Sequence, residues 1–227
     1  MNKVRAYLPA VPFAVWIALQ SLLPQTALNY AIRSAATLAA LALCLVLAHR
    51  GDGPRPARTR FSFSALFVGL AAGLFVAAFW ILPEHMAFYR RWILWPFGVP
   101  VPEPSGPSPY DPAVCGSALM WMKLAGSAFV IAPVEELFFR SFLYRWIQRA
   151  ERWREVELSS FDAQAFIWTV ALFALEHSPR FVAAAACGAV YQLVAMRRGL
   201  ASAIAAHVTT NLALAVYVIH FGDWGFW

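Results

Sequence analysis

Phe61-Ser-Phe-Ser-Ala-Leu-Phe-Val-Gly-Leu-Ala-Ala-Gly-Leu-Phe-Val-Ala-Ala-Phe-Trp-Ile-Leu82 contains no ionisable side chain. A run this long and this apolar meets the roughly 20 residues that a helix needs to cross a bilayer. It is not alone. Further apolar runs fall at about Leu8 to Leu23, Leu28 to Ala48, Ala113 to Ile131, Ala163 to Leu175, Phe181 to Met196 and Leu200 to Ile219. The composition agrees, with 61% hydrophobic and 13% charged residues, against roughly 25% charged in soluble domains. The expected fold is an all-α polytopic transmembrane helical bundle of about seven spans, six to eight in range. The shorter runs are admissible because a bundle shelters short or broken spans around a cavity. No repeat and no second domain is visible, so residues 1–227 read as one integral membrane domain.

Lys3 and Arg5 precede the first run, and the second run follows within a few residues, which reads as a signal anchor rather than a cleaved leader. Arg50, Arg55, Arg58 and Arg60 crowd one loop beside a single Asp52, whereas Pro24 to Ala27 carries no charge. Further basic clusters lie at Arg145, Arg149, Arg152 and Arg154 and at Arg197 and Arg198. Seven crossings from a cytoplasmic N-terminus put every cluster inside, as the positive-inside rule requires; Arg90 and Arg91 are the mild exception. The expected location is therefore the inner (cytoplasmic) membrane. The net charge of +6 comes from these short clusters beside spans. They suit anionic lipid headgroups and exclude a nucleic-acid partner, which needs a basic face on a soluble domain.

The outward loop opens with Phe88, Tyr89, Trp92, Trp95 and Phe97, suited to the membrane interface. It continues through Pro100, Pro102, Pro104, Pro107, Pro109 and Pro112, which favour an extended linker. Gly69 and Gly73 are spaced for a close helix–helix approach. Cys44, Cys115 and Cys187 have no metal or redox spacing and read as small buried residues.

The chemistry lies further along, in residues 113–221. In Ala132-Pro-Val-Glu-Glu-Leu-Phe-Phe-Arg140, three charged groups sit in apolar surroundings. Each costs about 2.5 to 3.5 kcal/mol at a bilayer centre, or roughly 7 to 10 kcal/mol together before pairing. Glu136 and Arg140 are four apart and can pair on one helical face. Glu135 is turned about 100° away and is left to act on a water. His177 ends Phe173-Ala-Leu-Glu-His, next to Glu176. His207 and Asn211 share a face of an apolar helix and need partners inside the bundle. An acid, two histidines and an amide on three spans can converge on one pocket.

Such a set suits amide hydrolysis, which needs a base for water, an acid for the leaving amine and donors for the oxyanion. Glu135 with His177 can serve the first two needs, and His207 with Asn211 the third. Alternatively, Glu135, His177 and His207 are three ligands of a divalent metal such as zinc, with water in the fourth position. The residues leave both mechanisms open. They also leave a noncatalytic reading, in which the same polar groups serve assembly, immunity or small-molecule passage. No H-E-x-x-H, G-x-S-x-G or phosphate-binding loop is present.

Three motifs in order, Glu135-Glu136-x-x-x-Arg140, Phe173-x-x-x-His177 and His207-x-x-x-Asn211, resemble the CAAX prenyl protease and bacteriocin-processing (CPBP, or Abi) family of intramembrane proteases. The Phe-Ala-Leu-Glu-His form also resembles a CAAX prenyl protease-related subgroup associated with exosortase systems. The resemblance implies a helical membrane fold with a cavity open toward membrane or cytosol, and hydrolysis of a membrane-associated protein or peptide tail. It implies that Glu135 and His177 activate water and that the third motif stabilises the oxyanion or binds metal. Membrane lipids and the substrate are the expected partners.

Overall fold

In the computed structural model, the described residues are 6–49, 62–89, 91, 107–178 and 180–227. Among them the chain is helical and contains no strand. Arg50, Arg55, Arg58 and Arg60, and the loop residues Arg90, Trp92, Trp95, Phe97, Pro100, Pro102 and Pro104, lie outside the described residues.

Seven helices run along the bundle: α1 (Val11–Leu22), α2 (Ala27–His49), α3 (Phe63–Ile81), α4 (Ser117–Gln148), α5 (Ala163–Glu176), α6 (Phe181–Arg198) and α7 (Leu200–Phe221). Four of these, α2, α3, α4 and α7, are long and apolar enough to cross a membrane. Shorter helices fill the joins. The outer surface is apolar, with Phe63, Phe67, Phe75, Leu175 and Val216 exposed, as expected of side chains facing lipid rather than water.

The fourth span departs from its apolar run. The run stops near Ile131, yet helix α4 continues to Gln148, carrying Glu135, Glu136 and Arg140 through the middle of the bundle. The pairing of Glu136 with Arg140 lets the helix go on. Two π-helical stretches, Ser127–Ile131 and Leu137–Leu143, bracket the α-helical Ala132–Glu136. Pro133 has no N–H to close the usual bond to the preceding turn, so a widened turn before it relieves the ladder.

Local signals set the joins. Asp162 caps α5 by accepting a hydrogen bond from the Ala165 N–H at 2.7 Å. Gly199, at φ +91°, is the single residue between α6 and α7, a torsion that side chains disfavour. Within the outward loop, Pro112 starts the short helix Pro112–Cys115, capped by Asp111, so this part is not an extended linker.

Gly69 and Gly73 lie against α7. A Cβ at Gly69 would come 2.5 Å from the Ser202 carbonyl oxygen, and one at Gly73 would collide with the Ala206 carbonyl oxygen. The helices α3 and α7 therefore run parallel with backbones in near contact. Thr210 Oγ1 lies 3.0 Å from both the Gly73 and Ala206 carbonyl oxygens and accepts from the Tyr191 hydroxyl at 2.7 Å, tying α6 to the same seam.

The ends of the bundle differ in charge. Arg145, Arg149, Arg152, Arg154, Arg197 and Arg198 gather where α4 and α6 end. There the Arg152 guanidinium, at 2.8 Å, holds the Glu155 carboxyl below its ordinary pKa. The opposite end mixes signs, with Arg180 near Glu84 at 3.8 Å and His85 hydrogen-bonded to the Tyr217 hydroxyl at 2.8 Å.

Candidate active site

Position in the fold turns Glu135 and Glu136 to different neighbours, as consecutive helical residues must be. Glu136 is fully buried and accepts two hydrogen bonds: from Arg140 Nε at 3.1 Å and from His207 Nδ1 at 3.0 Å. Arg140 is equally buried, and its guanidinium lies 4.9 Å from the centre of the Phe173 ring. The Phe139 ring lies 5.7 Å away on another side, so the charge is matched by one carboxylate and two aromatic faces.

Glu135 faces the other way, into a cavity of about 460 Å³. Its Oε2 lies 3.9 Å from His177 Nε2 and 3.7 Å from His207 Nε2, and has no hydrogen-bond partner among the described residues. An unpartnered carboxylate oxygen that is almost wholly buried is costly unless something polar comes to it.

The two histidines are held by their far nitrogens. His177, capping α5, places Nδ1 2.9 Å from the Phe173 carbonyl oxygen. A carbonyl only accepts, so Nδ1 carries a proton and Nε2 is the nitrogen turned toward Glu135. His207 is oriented likewise, its Nδ1 on Glu136 and its ring stacked on Tyr191 at 4.7 Å. Phe173 is the shared wall: its ring packs on His177 at 4.4 Å and His207 at 5.9 Å, and a Cβ on Gly188 would come within 3.0 Å of it.

The sequence-derived residues thus come together. Glu135, His177, His207 and Asn211 all line one cavity, joined by Glu176, while Glu136 and Arg140 sit behind it. Asn211 is already engaged, with Nδ2 donating to the Ser127 carbonyl at 3.0 Å, which leaves one amide hydrogen free. Among the described residues, no group of three or more His, Cys, Asp and Glu is spaced to hold a metal ion.

Residues 117–213 match the family described as type II CAAX prenyl endopeptidase Rce1-like. The matched segment runs from the start of α4 to the fourth turn of α7 and so contains Glu135, Glu136, Arg140, Phe173, His177, His207 and Asn211. The match supports a CAAX-type membrane endopeptidase, a hydrolase, and a multi-pass membrane protein. No curated protein and no solved structure matches the chain.

Two cavity residues escape a motif-based reading. Arg33 in α2 and Lys123 in α4 lie inside runs read as apolar, and both line the cavity with Glu135. The signal was present: an isolated cation within a span is a site marker by default.

Proposed function

We propose that the protein is an intramembrane endopeptidase that hydrolyses a peptide bond of a membrane-associated protein or peptide tail, with water activated by Glu135 and His177. The observation that carries this reading is the unpartnered Glu135 Oε2, flanked by two histidine Nε2 atoms at 3.7 and 3.9 Å in an intramembrane cavity.

A water between Glu135 and His177 gives its proton to the Glu135 carboxylate while its oxygen attacks the peptide carbonyl carbon. The carbonyl oxygen becomes an oxyanion. His207, protonated, donates from Nε2 to that oxygen, and the Glu136 carboxylate on Nδ1 stabilises the imidazolium. The free amide hydrogen of Asn211 supplies a second donor. Glu135 then passes its proton to the leaving amine, the C–N bond breaks, and the products are a carboxylic acid and an amine. Arg140 acts at one remove by holding Glu136.

We place the chain in the cytoplasmic membrane with its N-terminus inside, a reading supported by the arginines gathered at one end of the bundle. The test is Glu135→Gln, expressed in the host in place of the wild-type chain, with C-terminal peptides of the membrane fraction compared by mass spectrometry. Loss of specific new C-termini at equal levels of folded protein is expected. Identical C-termini in the two strains would support the noncatalytic reading instead.

A further inference from the structure

The cavity does not end at Glu135. It continues to the end of the bundle that carries Gln25, Tyr110 and Trp227, away from the arginine clusters, and there it is lined by two cations, Arg33 and Lys123. Arg33 is 1% exposed. Its Nη2 donates to Gln25 Oε1 at 3.1 Å, but Nε and Nη1 have no hydrogen-bond partner among the described residues. Lys123 Nζ lies 4.0 Å from the centre of the Tyr30 ring, and the Arg33 guanidinium 5.5 Å from the same ring. Trp16 adds a face to Arg33 at 5.3 Å and Tyr110 one to Lys123 at 4.9 Å.

Two like charges drawn to one ring repel each other, and among the described residues neither makes an ion pair with a carboxylate. Aromatic faces offset part of the cost of burying a cation but accept none of its N–H donors in the way an anion does. A planar guanidinium with two free donors beside an ammonium is matched by a carboxylate. Lys123 and Glu135 are on one helix, with Ser127 and Ile131 lining the cavity between them. Twelve helical residues rise about 18 Å, which an extended peptide at about 3.3 Å per residue spans in about five or six residues.

We propose that Arg33 and Lys123 form a carboxylate subsite that takes the C-terminal carboxylate of the substrate, entering from the end of the bundle opposite the arginine clusters. This rests on the endopeptidase reading for its substrate, but its test does not need hydrolysis.

The probe is a fluorescent N-acylated alanine–leucine hexapeptide, made as the free acid and as the C-terminal amide. Binding is measured to the full chain carrying Glu135→Gln, reconstituted in phosphatidylcholine nanodiscs. The expected result is that the acid binds about tenfold or more tightly than the amide, the scale of a charge-assisted contact. That preference is lost when Lys123→Met is added and partly kept with Arg33→Lys, while both variants keep the melting profile of the parent. Equal binding of acid and amide, or a preference that survives Lys123→Met, overturns the subsite. So does a preference that vanishes in phosphatidylglycerol nanodiscs, because the site would then belong to a lipid phosphate. If the acid binds as expected but the wild-type chain cleaves no membrane protein, the subsite stands and the endopeptidase reading fails.

Discussion

Removing the Glu136 carboxylate tests whether that group is the hub of both the fold and the chemistry. It accepts from Arg140 at 3.1 Å and from His207 at 3.0 Å, with no solvent contact for either Glu136 or Arg140. Glu136→Gln therefore leaves a buried guanidinium with the Phe173 and Phe139 rings against it and no carboxylate. Breaking one side of a buried pair costs about 3 to 5 kcal/mol, and the aromatic faces offset about 1 to 2 kcal/mol of that on the scale of desolvated cation–π contacts. The net expected loss is about 1 to 4 kcal/mol. Arg140→Met alone leaves Glu136 buried with its bond to His207, for a similar loss. Because each single change strands the other's partner, the double variant Glu136→Gln/Arg140→Met is expected to be more stable than the sum of the singles implies, by about 1.5 to 3 kcal/mol. Unfolding of the purified chain by titrating denaturing detergent into mild micelles, followed by tryptophan fluorescence, reads all four corners of the cycle. Additivity within about 0.5 kcal/mol would refute the pairing as the reason that α4 continues past Ile131.

The remaining predictions concern the cavity and the helix seam. Glu135→Gln removes the acceptor for the water proton without unpairing a cation, so activity falls by at least about 100-fold, the lower range for a general base, while detergent unfolding moves by less than about 1 kcal/mol; equal loss of activity and folded protein would make Glu135 structural. Gly73→Val drives a branched side chain into the Ala206 carbonyl and Thr209 and is expected to lower folded yield severely, whereas the same change at the open position Gly116 does so only through its φ of +81°; normal yield from the Gly73 variant would argue against the close parallel contact of α3 and α7. Dialysis against a strong chelator is expected to leave the hydrolysis rate within about twofold, since the proposed base is a side chain; a tenfold or larger loss restored by zinc would instead make Glu135, His177 and His207 metal ligands.

Much of this was legible in the residues. Spacing alone put Glu136 and Arg140 on one face and turned Glu135 away, because four residues nearly complete a helical turn and one residue rotates it by about 100°. The Gly69 and Gly73 pair likewise announced a close neighbour. Three things were not legible, each for a physical reason. Apolar run length ended the fourth span at Ile131, since hydropathy counts charges one by one and cannot see Glu136 neutralise Arg140. The motif His207-x-x-x-Asn211 gave the face but not the partners: His207 leans on Glu136, seventy-one positions earlier in the chain, and Asn211 on the Ser127 carbonyl of a π turn. Arg33 and Lys123 were passed over because each sits singly in a long apolar run, and only the packing of α1, α2 and α4 brings them onto one ring.

The π turn at Ser127–Ile131 has a consequence for the phase of the helix that holds it. In regular α-helix, Lys123 and Glu135, twelve residues apart, would end about 120° out of alignment. Bonds that skip five residues wind the chain more slowly, and this stretch takes back much of that angle, so that Lys123, Ser127, Ile131 and Glu135 all look into the same cavity. The widened turn works as a vernier between the two halves of α4. Forcing regular winding on the same number of residues would swing one of those side chains about 120° toward lipid, whereas deleting one residue with the π turn would leave them eleven apart and only about 20° out of line.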